Sequence, residues 1–396
     1  MKINYPLASS SWDEKEIEAI NDVIDGGMYS MSNHVKEYEE QFAKKFDSNH
    51  CVMVNSGSSA NLLMIASLFY KSDSPLQRGD EVIVPSVSWS TTYAPLQQYG
   101  LHVKFVDVCP DTLNIDLKKF KEAVSKKTKA VVLVNLLGNC NNYEEVKKIL
   151  DEKDLSPYVL EDNAESMGAE FKGIKAGSYG LMGTFSSFFS HHISTMEGGC
   201  IITNDEELFH ILLCIRAHGW TRNLPDNNLV TGRKDEDNFL ESFKFVLPGY
   251  NVRPLEMSGA IGKQQIKKLD SLIEGRRKNA EYFVDKISKF KSLTIQKETG
   301  KSSWFGFSVI VSKYASYNRE MLIKSLQSNG IEYRPIVTGN FLKNKAILKY
   351  FDYEISGDMS GAELIEENGL FLGNHHYDLS SQIDLFYEVV FELERS

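Results

Sequence analysis

Cysteine is scarce in this chain: five residues in 396, at positions 51, 109, 140, 200 and 214. The number is odd and no pair stands in C-x-C or C-x-x-C spacing, which argues against both a disulfide framework and a clustered metal site. Long hydrophobic runs are missing too. The longest, such as "AVVLVNLLG", fall well short of the roughly 20 residues that a membrane-spanning helix needs. The opening "MKINYPLASSSWDEKE" has neither the apolar core of a signal peptide nor an arginine-rich amphipathic pattern, so the expectation is a soluble, cytoplasmic protein without a membrane partner. Positive charge is in deficit: 54 acidic residues against 44 basic give a net charge of −10. That argues against a nucleic-acid partner but leaves room for a locally basic pocket. Finally, no lysine occurs between Lys175 and Lys234. In that gap stands "TFSSFFSHHISTMEGGC", Thr184 to Cys200, where two adjacent histidines occupy the polar turn between two apolar runs.

What is present reads as an ordinary globular composition, 42% apolar and 25% charged, in a chain long enough for a large domain and a smaller one. A capping-box pattern at Ser11 and Glu14 opens a helix that Gly26 and Gly27 stop, and a second helix follows. From there to about residue 205 short β-branched runs, "CVMV", "EVIVP", "HVKFVDV", "AVVLVNLL", "YVLED", "TFSSFF" and "CIIT", alternate with helix-length amphipathic runs. Strands apolar on both faces and separated by helices predict an α/β domain built on a mostly parallel sheet. Residues 221–247 break the rhythm with a polar insertion long enough to suggest a functional loop. A charged helix from Pro254 to about Phe290 then leads into a small α+β region: strand "SWFGFSVIV", helix "NREMLIKSLQSNG", strand "IEYRPIV" and a last helix. The division expected is a large domain over 1–270 and a small C-terminal domain over 271–396.

Ligands of α/β sheets bind at the carboxyl ends of the strands. Four such places carry unusual groups. Ser56, Gly57, Ser58 and Ser59 open a helix after the first strand, where free N–H groups and the helix dipole suit either a phosphate or an ordinary cap. Trp89 stands among hydroxyls after the second, placed to stack on a planar ligand or to fill core. Glu161, Asp162 and Glu165 cluster after "YVL", with no histidine beside them to complete a metal site; a carboxylate there could instead keep a pyridine nitrogen protonated. The fourth place is the double-histidine turn, with Ser186 five residues before His191.

Taken together, the Gly-Ser loop, the aromatic, the acidic pair and the S-F…E-G-G turn resemble the DegT/DnrJ/EryC1/StrS sugar aminotransferases, pyridoxal-phosphate (PLP) enzymes of fold type I. The resemblance runs from "YPLASSSW" through "GYNVRPLEMSGAIG", Gly249 to Gly262, into the C-terminal region. In that family the residue six places before the glutamate of E-G-G is the lysine that bonds covalently to PLP. Here Glu197 is that glutamate and His191 stands in the lysine's place. Within the family this exchange marks the nucleotide-sugar 3-dehydratases, and "LCIRAHGWTRNLP" and "ESFKFVLPGYNVRPLEMSGAIG" are especially similar to those acting on a GDP-linked 4-keto-6-deoxy sugar in colitose synthesis.

The resemblance implies that PLP is held non-covalently and cycles with its aminated form, PMP, with L-glutamate as amino donor. Loss of the sugar C3 hydroxyl and release of ammonia complete the reaction. His191 is then the base; its ordinary pKa near 6.5 leaves it mostly neutral, where a lysine would be charged. Asp162 is expected at the pyridine nitrogen, Glu165 near the ring hydroxyl, Trp89 on the ring face, and Gly57, Ser58 and Ser186 at the phosphate. Asn251 is expected to reach the phosphate of a neighbouring subunit, because the family builds its sites at a homodimer interface. His218, Arg222, Arg253 and Arg334 are candidates for glutamate or nucleotide-sugar contacts, and His192 is read as structural. The rival readings are a CDP-sugar 3-dehydratase dependent on an iron–sulfur cluster, which the cysteine spacing disfavours; an ordinary 4-aminotransferase, which the missing lysine disfavours; and a non-catalytic PLP-binding scaffold.

Overall fold

The computed structural model describes residues 3–395. All seven apolar runs read as strands are strands, and they join an eighth in one twisted sheet. From one edge to the other the order is His50–Val54, Gly199–Thr203, Met182–Ser186, Tyr158–Asp162, Thr128–Val134, Glu81–Pro85, His102–Val106 and Tyr353–Ser356. Only Gly199–Thr203 runs antiparallel to its neighbours. That exception matters for the site. Because this strand is reversed, the Glu197-Gly198 pair that precedes it arrives at the same edge of the sheet as the carboxyl ends of His50–Val54 and Met182–Ser186. The register places Val54, Gly199 and Ser186 in one row, and Val134, Asp162 and Thr184 in another. The architecture is the expected α/β arrangement, a mostly parallel sheet covered by helices.

Helices cover both faces, as continuous apolar strands require. Gly57–Leu68 is apolar almost all round after its first turn, and Ala60, Asn61 and Leu63 to Leu68 are buried. On the other face Asn33–Lys45 packs Tyr38 and Phe42 against Phe46 and Phe185. The first helix, Glu14–Gly26, is capped by Asp13 with Glu16 as its reciprocal partner, not by the expected Ser11 and Glu14 pair; the Ser11 hydroxyl instead donates to Gln265. Gly27 ends the helix at φ 68°, in the left-handed region that favours glycine.

Several boundaries differ from expectation. The strand expected over Phe185 to Phe189 ends at Ser186, and the chain then turns back on itself through Ser187 N–H to Gly198 O and Thr195 N–H to Ser187 O. In the C-terminal region, the small sheet is Leu293–Ile295, Gly306–Val311 and Gly369–Gly373. The expected strand "IEYRPIV" contributes only isolated bridges, Tyr5 to Ile331 and Arg334 to Phe371. Pro335 has no N–H to extend that pairing. The strand Tyr353–Ser356 was not expected; it returns to the edge of the large sheet, where Lys104 binds Glu81 and Glu354.

The long helix Glu256–Ile287 spans the expected boundary at residue 270. Its Ile266, Leu269 and Ile273 pack in one core with Phe42 and Phe185, whereas Ala280, Phe283 and Ile287 pack in another with Phe307 and Phe386. We propose that the two domains meet along this helix. The insertion 221–247 folds as a short hairpin and one helical turn, with Trp220 stacked between Phe243, Phe245 and Arg222. Among the described residues no helix is long and apolar enough to cross a membrane.

Candidate active site

A cavity of about 310 Å³ opens at the carboxyl edge of the large sheet, lined in part by Gly57, Ser58, Trp89, Asp162, Glu165, Ser186, His191 and Arg334. Each is a residue expected from the sequence. Its floor begins at the helix Gly57–Leu68. Ser56 caps that helix by accepting from Ser59 N–H, while the first N–H groups, at Gly57 and Ser58, have no carbonyl within the helix to bond. Gly57 sits so close to Ser186 that an added Cβ would lie 2.6 Å from the Ser186 Cβ. Gly199 is equally constrained: its Cβ would meet Ser56 O at 2.4 Å. These contacts explain the glycines, which let three chain segments close into one cradle around the helix N-terminus.

Asp162 is buried at the end of its strand, and both oxygens are occupied. Oδ2 accepts from Asn61 Nδ2 and from Thr92 Oγ1, each at 2.8 Å, and Oδ1 accepts from Ala164 N–H at 3.1 Å. Its neighbour Glu161 points to the opposite face, as strand alternation requires. There it accepts from Tyr143 Oη and the N–H groups of Gly177, Tyr179 and Gly180, so it serves the fold and not the cavity. Glu165 accepts from Leu137 N–H at 3.3 Å and pairs with Arg334 at 3.5 Å. Burial raises its pKa and the Arg334 charge works against that rise. Trp89 is 54% exposed, with the ring bordering the cavity.

His191 follows a tight turn closed by its own N–H to Phe188 O. Its ring packs at 5.8 Å from Phe188 and 5.1 Å from Phe305, and Nδ1 has no protein partner. Burial first, then the guanidinium groups of Arg334 and Arg276, hold the imidazole pKa down to about 3. The ring is thus disposed to stay uncharged. His192 is buried on the far side and contacts Ser303 O through Nε2, in accord with a structural role.

The remaining candidates do not reach the cavity within one chain. Asn251 is exposed and accepts from Arg253 Nε at 3.0 Å. Ala217 bridges Asn251, His218 N–H donates to Tyr250 O, and Arg222 lies over Trp220. These four residues share a separate surface beside the insertion. Sequence reasoning passed over Asn61, Thr92, Asn135 and Ser190. For Asn61 a signal existed: it is an amide one turn inside the helix "SANLLMIASL", which is otherwise almost wholly apolar.

The residues present fit PLP. The glycine-lined cradle offers unbonded N–H groups and hydroxyls for a phosphate, Asp162 offers a fully oriented acceptor for a pyridinium, and Trp89 offers an exposed ring face. No lysine lines the cavity among the described residues, so the group would be held without a covalent bond. The profile of the DegT/DnrJ/EryC1/StrS aminotransferase family matches residues 10–382. The chain belongs to that family. Among its members, the GDP-4-keto-6-deoxy-D-mannose 3-dehydratase of Escherichia coli O55:H7 is 62% identical over 388 residues, 98% of this chain and the whole of that protein. A solved structure of the E. coli GDP-4-keto-6-deoxy-D-mannose-3-dehydratase with bound hydrated PLP superposes with a TM-score of 0.97 at 62% identity, over 98% of this chain and all of that one. A second, of GDP-4-keto-6-deoxymannose-3-dehydratase with a trapped PLP-glutamate geminal diamine, gives 0.96 at 61% identity, over 98% of this chain and all of that one.

Proposed function

We propose that this chain is a PLP/PMP-dependent 3-dehydratase that removes the C3 hydroxyl of GDP-4-keto-6-deoxy-D-mannose, with L-glutamate as amino donor. The products are GDP-4-keto-3,6-dideoxy-D-mannose, 2-oxoglutarate and ammonia. The observation that carries this reading is His191: an imidazole whose Nδ1 has no protein partner lines the cavity where the family's aminotransferases have a lysine. Relatives 62% identical over their full length support the substrate assignment.

When bound, the cofactor supplies an amine to the sugar ketone and an electron sink in its protonated ring. The chain's own residues do the rest. Asp162, locked by Asn61 and Thr92, accepts from the ring N–H and keeps that proton in place. Gly57, Ser58 and Ser186 hold the phosphate, Glu165 approaches the ring hydroxyl, and Trp89 covers one face and excludes water. His191 takes the proton from the cofactor's C4′ carbon and passes it to the departing C3 hydroxyl. Arg334 contacts substrate.

We infer further that two copies pair so that Asn251 reaches the neighbouring subunit's phosphate site, with His218, Arg222 and Arg253 meeting substrate there. Ile17, Ile24, Met28, Tyr29 and Leu255 support this reading, since all five are exposed apolar side chains and Tyr29 links Ile24 to the start of the helix Glu256–Ile287, which follows Arg253. The enzyme then works in the cytoplasm on a precursor of an O-antigen deoxysugar. The five cysteines are free thiols; Cys51 and Cys200 share one part of the core while Cys140 and Cys214 lie in two others, a dispersal that favours this reading over the iron–sulfur-dependent CDP-sugar enzyme.

The test is mass spectrometry of products after incubation with PLP, glutamate and either the GDP- or the CDP-linked 4-keto-6-deoxy sugar. A 3-deoxy product from the GDP sugar alone, with no added reductase, is expected. An aminated product, or a requirement for an electron donor, would overturn the assignment.

A further inference from the structure

Arg276 is a buried cation without a counter-ion. It projects from the helix Glu256–Ile287, its Nη1 donates to Phe305 O at 2.9 Å and Asn374 O at 2.5 Å, and Nε has no protein partner. Among the described residues no carboxylate pairs with it. The guanidinium lies 6.0 Å from the centre of the Phe305 ring. That ring in turn packs 5.1 Å from His191 and 5.6 Å from His192. Asn374 completes the brace by donating to Arg276 O and Trp304 O, in a turn where Trp304 is held at φ 47°.

We propose that Arg276 is a positioning residue for the reaction: its unpaired charge, acting across Phe305, keeps His191 a neutral proton acceptor, and its hydrogen bonds fix the ring against which that imidazole rests. The inference rests on the reading of His191 as the base and deepens it. A charge held in a poorly solvated place disfavours a second like charge nearby. The charged groups facing His191 can be weighed in turn. Arg334 also lies against the Phe305 ring, 5.9 Å from its centre, and acts in the same direction, but it is paired with Glu165. The carboxylates that line the same cavity are Asp162, Glu165 and Glu197. His192 stands behind, and His375, His376 and Tyr377 surround Arg276 from the C-terminal side. Arg276 is the cation of this set that, among the described residues, no carboxylate pairs with. Its two effects are separable, because lysine keeps the charge and glutamine keeps part of the hydrogen bonding.

The experiment follows the ring signal of His191 by NMR in the full-length, 13C-histidine-labelled protein, with and without PLP, assigned by its loss in His191→Asn. In the unmutated protein the signal should stay that of a neutral imidazole down to below pH 5. In Arg276→Gln the midpoint should move up by about one pH unit, the scale of one nearby charge at intermediate dielectric. The acid limb of kcat should move with it. Arg276→Lys should restore both. A His191 midpoint near 6.5 in the unmutated protein, or an unchanged one in folded Arg276→Gln, overturns the proposal. Should the glutamine variant not fold, the unmutated titration and Arg276→Lys decide: a depressed midpoint retained with lysine supports the proposal, and one that rises with lysine overturns it. Failure of the underlying reading is distinct, since it would show as turnover surviving in His191→Asn.

Discussion

Asn61 Nδ2 donates to Asp162 Oδ2 at 2.8 Å, joining the helix Gly57–Leu68 to the end of the strand Tyr158–Asp162. The same Asn61 accepts from Thr184 Oγ1, so the amide is held on both sides. Replacing it with leucine leaves the carboxylate with one fewer donor. A hydrogen bond to a charged group is worth about 1.5–3 kcal/mol, so PLP affinity should fall by about tenfold or more, with the phosphate contacts intact. Titration of PLP by protein fluorescence reads this, and an unchanged affinity would show that Asp162 is oriented by other means.

His191→Lys and His191→Asn should part company. Lysine should bond to PLP, turning the protein yellow and making the cofactor resist dialysis, whereas asparagine should leave PLP exchangeable. Both should lower dehydration by at least about 10²-fold, the lower end for losing a general acid–base group. Near wild-type rates in both would reduce His191 to a core residue.

Acidification should weaken the fold through the histidines around Arg276. Burial holds His191 down to about 3, His375 down to about 4 and His192 well below its ordinary range. An unfolded chain takes up these protons near pH 6.5 while the folded one refuses them, so stability is full above that pH and declines as pH falls toward 4. Each histidine contributes up to about 1.4 kcal/mol per pH unit in that window. Urea unfolding at pH 7 and pH 5 should therefore show a smaller pH dependence in His375→Gln than in the unmutated protein. Equal slopes would remove His375 from the account.

The apolar face of Ile17 and Ile24 gives a test of the proposed subunit pairing. Ile17→Glu with Ile24→Glu should convert a dimer into a monomer in sedimentation and abolish turnover, while leaving the melting temperature of the single chain nearly unchanged, since both side chains are about half exposed. A fully active double variant would count against a shared site.

The sequence by itself determined seven strands of the large sheet and what stands at their ends. A run such as "VVLV" is apolar on both faces wherever it occurs, and the polar residue that ends it marks the carboxyl edge of the sheet, so Gly57, Trp89, Asp162 and His191 were legible as candidates and the cavity brings them together. The edge strand Tyr353–Ser356 was not legible, because its exposed faces carry Glu354 in place of an apolar residue and its place is set by pairing with His102–Val106. Nor was the reversal of Gly199–Thr203 that carries Glu197 to the cavity. Tertiary structure alone decided that Asn61 meets Asp162 across 101 residues of chain, that Thr92 joins them across 70, and that Arg276 stands behind Phe305 and His191. The physical reason is range: hydrophobic periodicity is a property of neighbouring residues, whereas a hydrogen bond or an uncompensated charge depends on which distant segments the packing brings to within a few ångströms.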